Sequence, residues 1–263
     1  MSKGSRFQRA SVLTAFGVLG FAALLPSPAR WWCAGGVAAV YLVICVTGVF
    51  AVRMNYYAEA ICRGKTGKRR IALTFDDGPD SDATPVLLDV LKKYQAHATF
   101  FCVGRRAEAN AAIIRRIVAE GHTLGNHSYS HHWWTNFLTK KPLMREINRA
   151  QVVFRELSGL SPKYYRSPMG LANPHLAPAL RETGLKLITW DLRPFDRGLP
   201  AKTMVNRIAG TGTSPVGDGS IVLLHDGGAS SVNLASAVTE ILERFQAGGY
   251  SFVSLDELLC EEV

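Results

Sequence analysis

Hydrophobic and polar positions divide this chain into two unlike parts. Up to about residue 52 the apolar residues come in long unbroken runs; beyond residue 70 they come in short clusters between amphipathic stretches. The first run, 10–25, has sixteen residues without a charge. A Pro26-Ser27-Pro28-Ala29-Arg30 break follows, and 31–52 then supplies twenty-two more uncharged residues. At about 1.5 Å of rise per residue, the second run is long enough for a hydrocarbon layer of about 30 Å, and the first is marginal. The pattern predicts a two-helix transmembrane hairpin within 1–55, with Trp31 and Trp32 as anchors at the far interface. Lys3, Arg6 and Arg9 ahead of the first run, with small Ser27 and Ala29 behind it, also fit a signal peptide.

From residue 70 onward, short apolar strands alternate with amphipathic helices, the signature of βα units around a parallel sheet. Strands are expected at 71–75, 98–103, near Tyr164, at 185–190, 220–224 and near 250–253. The first helix should take Thr84 as N-cap and Pro85 at N1, and bury Val86, Leu87, Val90 and Leu91. The next carries Ile113, Ile114, Ile117 and Val118 and stops at Gly121. Further helices are expected at 142–157, from Asn173-Pro174, after Pro200, and at 232–245 closed by Gly248. The fold class is α/β: a distorted (β/α) barrel of about seven parallel strands, preceded by the hairpin. The organisation is then 1–55 membrane anchor, 56–69 basic linker, and 70–263 catalytic domain.

Charge refines this. The net charge of +9 is scattered and accompanied by no nucleic-acid motif, so no nucleic-acid partner is expected, and no obligatory protein partner is evident. Arg63, Lys65, Lys68, Arg69 and Arg70 cluster just after the apolar part, either to meet anionic headgroups or as a solvated linker. Basic residues flank the hairpin on both ends while only Arg30 sits between its runs, so the positive-inside rule favours an inner-membrane protein with a cytoplasmic catalytic domain. Five cysteines in no paired pattern argue against a disulfide framework and point to a reducing compartment.

The polar residues that carry chemistry fall just past strand ends, where barrel enzymes place them. Thr74-Phe75-Asp76-Asp77-Gly78-Pro79 sets two carboxylates side by side. They repel unless a cation sits beside them, although a turn in which they only bind backbone amides would also use these residue types. His127 and His131 stand four apart, the spacing that brings two imidazoles to one point on a helical turn. One aspartate with two histidines makes a three-ligand set that leaves positions open for water, as a catalytic metal requires. Arg166 ends a strand in Arg166-Ser167-Pro168-Met169-Gly170. His225 ends another in Leu223-Leu224-His225-Asp226, where an imidazole can act as general acid.

These four segments, in this order and spacing, resemble the polysaccharide deacetylase family, also called the NodB-homology family of carbohydrate esterases, over about residues 70–259. The resemblance implies Asp76 as general base, Asp77, His127 and His131 as metal ligands, and His225 as general acid. It implies Arg166 positioned on Asp76, the Met169 amide at the oxyanion, Leu223 lining the acyl pocket, and Asp196 orienting the arginine. The implied cofactor is one divalent ion, zinc first, with cobalt, nickel or iron also admitted by the ligand set. The chain departs from the family pattern at Trp190-Asp191-Leu192-Arg193-Pro194-Phe195-Asp196-Arg197. Arg197 stands where an aromatic is expected and Arg193 where an acid is frequent, so the two either recognise phosphate or carboxylate on the substrate or are outward-facing, solvated arginines.

The implied activity is removal of an N-acetyl group from an amino sugar of a polysaccharide, oligosaccharide or lipid-linked glycan. A catalytically silent glycan-binding member, or a deformylase or other amide hydrolase acting on a lipid-linked sugar, are the alternatives.

Overall fold

The computed structural model describes residues 6–24, 26, 28–65, 67–210 and 216–260; Lys3, Leu25 and Ser27, which entered the reading of the N-terminus, lie outside them. Two apolar helices, α1 (Arg6–Leu24) and α2 (Ala29–Phe50), come first. They pack antiparallel: the Ser11 hydroxyl meets the Tyr41 hydroxyl at 2.6 Å, and Gly17 faces Val37. At about 1.5 Å per residue, α2 is about 33 Å long, enough to span a bilayer. Both open ends of the hairpin adjoin the barrel. The Phe7 amide donates to the Tyr56 carbonyl (3.1 Å), and the Phe7 ring packs against Tyr56 and Tyr57.

Eight strands follow: β1 (Ala60–Ile61), β2 (Arg70–Asp76), β3 (Ala98–Cys102), β4 (Thr123–Asn126), β5 (Tyr164–Tyr165), β6 (Lys186–Ile188), β7 (Ile221–His225) and β8 (Ser251–Phe252). The sheet order is β1-β6-β5-β4-β3-β2-β7, all parallel, and β8 joins the start of β2. β2 lies between β3 and β7, with Asp76 opposite Phe101 and His225. It is covered on both faces, so Ile-Ala-Leu-Thr-Phe is a continuous buried run and does not alternate.

Seven strands lie on the main path, as expected, but the set differs. β1 comes from the segment read as a linker; β8 stands off the path. Residues 56–61 pack because Tyr56, Tyr57, Ala58 and Ala60 share a buried cluster with Leu176 and Leu187.

The covering helices are α3 (Ala83–Lys93), α4 (Gly104–Ala109), α5 (Ala111–Ala119), α6 (Lys140–Ser158), α7 (Leu176–Thr183), α8 (Ala201–Ala209), α9 (Ser231–Ala247) and α10 (Leu255–Leu259). The start of α3 corrects the sequence reading. Asp82 holds the N-cap position, two residues earlier than Thr84, and Asp80 just ahead of it accepts from the Asp82 and Ala83 amides (3.0 Å each). Thr84 is buried inside the first turn, and its hydroxyl donates to Asp226 (2.6 Å). The inward face also differs from the expected one: Val86 is exposed and Leu88 is buried. The basic stretch is also tied down, at the far end of β2 from Asp76: Arg69 donates to the Gly248 carbonyl (3.1 Å), and Asp218 accepts from the Lys68 and Arg70 amides.

Candidate active site

The carboxyl ends of the strands open into a cavity of about 420 Å³. Of the residues singled out in the sequence, Asp76, Asp77, His127, His131, Met169, Leu223, His225, Arg193 and Arg197 all line it. Arg166 and Asp196 are buried and bonded to lining residues.

Asp76 is the last residue of β2 and is buried. Its Oδ1 accepts from the Arg166 guanidinium at 2.7 Å, and its Oδ2 stands 3.8 Å from His127 Nε2. Arg166 is itself 1% exposed. It donates to the Thr74 hydroxyl (2.7 Å) and the Thr189 carbonyl (3.0 Å), and its guanidinium lies 4.1 Å from the Phe101 ring centre. A buried arginine is tolerable because a carboxylate, a hydroxyl and a carbonyl surround it.

Asp77 follows with φ of 70°, which turns the backbone sharply and separates the directions of the two adjacent carboxylates. Its Oδ1 lies 3.3 Å from His127 Nε2 and 2.9 Å from His131 Nε2. The ligand atoms of these three residues lie within 4.8 Å of one another. The two histidines do not share a helical turn, as their spacing suggested. They sit in an irregular loop after β4, where Ser128 (φ 63°) and His131 (φ 52°) take left-handed backbone conformations.

The donor set fits a cation. His127 Nδ1 donates to the Arg166 carbonyl (2.8 Å), which leaves a lone pair on Nε2. Burial holds the His127 imidazole below its ordinary pKa and pushes that of His131 down to about 3, so both rings are neutral at pH 7. Asp77 Oδ1 is buried without a hydrogen-bond donor. Three lone-pair-bearing atoms facing one another repel unless a positive charge lies among them.

Across the cavity, His225 ends β7. Its Nδ1 contacts Asp196 Oδ1 (2.8 Å), and its backbone amide donates to Asp196 Oδ2 (2.7 Å). The resemblance gave Asp196 to the arginine, but the structure gives it to the histidine; Arg166 is engaged by Asp76, Thr74 and Thr189. The correction follows from topology: β7 pairs with β2 and carries His225 beside the 190–197 loop. Met169 takes φ of 59° in a single 3₁₀ turn, and Gly170 below it is packed against the Trp190 ring. Arg197 reaches inward to ion-pair with Asp77 Oδ2, while Arg193 stacks on Phe195 (4.9 Å).

Three contributions escaped the sequence reading. Asp226 is fully buried behind the site; desolvation pushes its carboxyl up to about pH 6, and its Oδ1 has no partner. Trp190 forms part of the wall. Phe50, the last residue of α2, lines the same cavity, and no local signal marks it apart from the rest of the apolar run.

Comparison with known proteins agrees with this geometry. A family model described as polysaccharide deacetylase matches residues 63–188. A peptidoglycan-N-acetylglucosamine deacetylase of Bacillus cereus is 35% identical over 192 residues, 72% of this chain and 87% of that protein. The peptidoglycan-N-acetylmuramic acid deacetylase PdaC of Bacillus subtilis is 37% identical over 194 residues; this chain spans 39% of that relative's length.

A crystal structure of a peptidoglycan N-acetylglucosamine deacetylase, bound to a naphthalenyl-substituted N-oxidanyl-benzamide, superposes with a TM-score of 0.69 at 31% identity. It covers 75% of this chain and 91% of its own. A family pseudoenzyme from Bacillus anthracis superposes at 0.70 with 23% identity, covering 77% of this chain and 69% of its own, a likeness of fold alone. On the seven-strand parallel barrel, the ordered motifs at its strand ends and these identities, the chain belongs to the polysaccharide deacetylase family.

Proposed function

We propose that this protein is a membrane-anchored, divalent-metal-dependent N-deacetylase of amino-sugar glycans. One observation carries the reading: Asp77 Oδ1, without a donor, faces two neutral imidazoles beside a second buried carboxylate, opposite a histidine held by its own aspartate. Asp77, His127 and His131 would hold the ion, with zinc first for two nitrogens and one oxygen. A divalent ion in such a site polarises a carbonyl and acidifies water.

The protein's own groups account for the rest. Asp76 is the base: Arg166 occupies Oδ1, so Oδ2, which faces the ligand cluster, takes the proton of the attacking water. His225 is the acid: with Nδ1 held by Asp196, Nε2 delivers a proton to the departing nitrogen, which leaves poorly without one. The Met169 amide would stabilise the oxyanion, and Leu223 would receive the acyl methyl. The relatives that act on peptidoglycan N-acetylglucosamine and N-acetylmuramic acid support an N-acetylated amino sugar as substrate. The two apolar helices support the anchor, and the basic residues flanking them support a cytoplasmic domain.

The test is acetate release from a panel of N-acetylated glycans, with and without chelator, by wild type and Asp76→Asn. Chelator-sensitive release that Asp76→Asn lacks is expected. Binding of the glycans without release by the metal-loaded wild type would make the chain a silent glycan-binding member instead.

A further inference from the structure

The cavity wall that matters most for substrate choice comes from the membrane hairpin. Phe50 ends the twenty-two-residue apolar helix α2, whose one charge, Arg30, lies at the opposite end, yet it faces the same space as Asp76 and His225. The attachment is built in. The Val49 carbonyl accepts from the Ala172 amide (3.0 Å), next to the Met169-Gly170-Leu171 wall, and Val52 is buried in the cluster with Leu176 and Leu187. The reacting groups therefore share one cavity with the end of α2.

Around the same mouth, large apolar side chains are left in the open. Phe50 is 69% exposed, Trp133 64%, Phe137 70%, Met169 56% and Phe195 64%. The turn that carries Trp133 and Phe137 is fixed to the cavity wall, since Asn136 donates to the Pro168 carbonyl (3.0 Å) and Asn173 ties down the Asn136 carbonyl (2.7 Å). Exposed tryptophan and phenylalanine on a rigid turn beside a spanning helix match the interfacial layer of a bilayer. Cations stand at this mouth: Arg193, stacked on Phe195, and Arg197, ion-paired with Asp77, line the cavity, and Arg53, one turn past α2, donates to the Asp191 carbonyl.

We infer that the mouth of the site rests on the membrane surface and takes an amino sugar carried on a phosphate-bearing lipid. The sugar enters sideways from the headgroup layer, its phosphate meets Arg193 and Arg197, and its chain stays in the bilayer beside Phe50. This rests on the deacetylase reading and narrows its substrate class.

The test uses the full metal-loaded chain in phosphatidylcholine nanodiscs. Acetate release is compared for N-acetylglucosaminyl polyprenyl diphosphate in the disc and a soluble N-acetylglucosamine tetramer. We expect kcat/KM for the lipid-linked sugar to be at least tenfold higher, and an alkyl N-acetylglucosaminide without phosphate to lose most of that advantage. Trp133→Asp with Phe137→Asp should lower lipid-linked turnover at least tenfold and soluble turnover less than threefold. Independently of folding of that variant, lipids brominated in the acyl chain should quench Trp133 and Trp134 in a Trp31→Phe, Trp32→Phe, Trp190→Phe background. Equal or better turnover of the soluble tetramer, or absence of quenching, overturns the inference while leaving the deacetylase reading intact. No acetate from any of the three substrates overturns that reading itself.

Discussion

Replacing Arg166 with methionine removes the one guanidinium that faces the buried carboxyl of Asp76 and leaves an apolar side chain of similar length. Asp76 would keep a buried negative charge with its Oδ1 unpaired, and the Thr189 carbonyl and Thr74 hydroxyl would lose a donor. Breaking a buried ion pair by removing one partner costs about 3–5 kcal/mol, mostly from the charge left behind. For a chain of this size that corresponds to a fall in Tm of about 6–20 °C, measurable by intrinsic fluorescence on the detergent-solubilised protein. The origin of the cost can be isolated. If the stranded carboxylate is responsible, adding Asp76→Asn to Arg166→Met should recover about half of the lost stability, because no buried charge remains. A double variant whose loss equals the sum of the two single losses would refute the reasoning and reduce Arg166 to a packing residue against Phe101.

Three other outcomes test the site and the fold. His131→Ala and Asp77→Asn should each lower bound metal, read by elemental analysis after dialysis, by at least tenfold, because two remaining donors hold a divalent ion poorly. Asp76→Asn and His225→Ala should keep that metal while acetate release falls roughly 10²–10⁴-fold, the range for a lost general base or acid. The steeper fall of either protein with loss of metal as well would count against separate roles. Finally, burial pushes the His122 imidazole down to about 4, and its Nδ1 accepts from the Ala98 amide. The folded state thus binds the proton less well than the unfolded state does. Its contribution is fully present above about pH 6.5 and is lost as pH falls toward 4, in total roughly 3 kcal/mol. His122→Gln should flatten denaturation midpoints across that window, and an unchanged slope would show that other groups carry the acid sensitivity.

Much of the fold was legible because the strongest signals are also the longest. The unbroken 71–75 run, the amphipathic 142–157 stretch and Gly121 in a left-handed turn just past α5 all follow from period and steric rules. β1 was not legible, since two residues beside Cys62 and Arg63 form a strand only when β6 is there to pair with. The start of α3 lies earlier than Thr84 because Asp80 takes the Asp82 and Ala83 amides, while the Thr84 hydroxyl is drawn inward to Asp226, 142 positions away.

The residues that line the cavity were picked out from residue type, spacing and the family resemblance, but their partners were not. Nothing local predicts that Asp196 holds His225 or that Arg197 meets Asp77. Nor does spacing reveal that Asp77, Ser128, His131 and Met169 all sit at positive φ, a costly backbone that the surrounding barrel must enforce.

The way the hairpin closes on itself has a consequence for how the chain can be dismantled. With the ring of Phe7 wedged beside Tyr56 and Tyr57, and α1 laid along α2, a protease acting at the Pro26 tip would cut the backbone without freeing either half. The severed first helix would persist as a bound companion of the second, and α2 would keep its covalent link to the barrel.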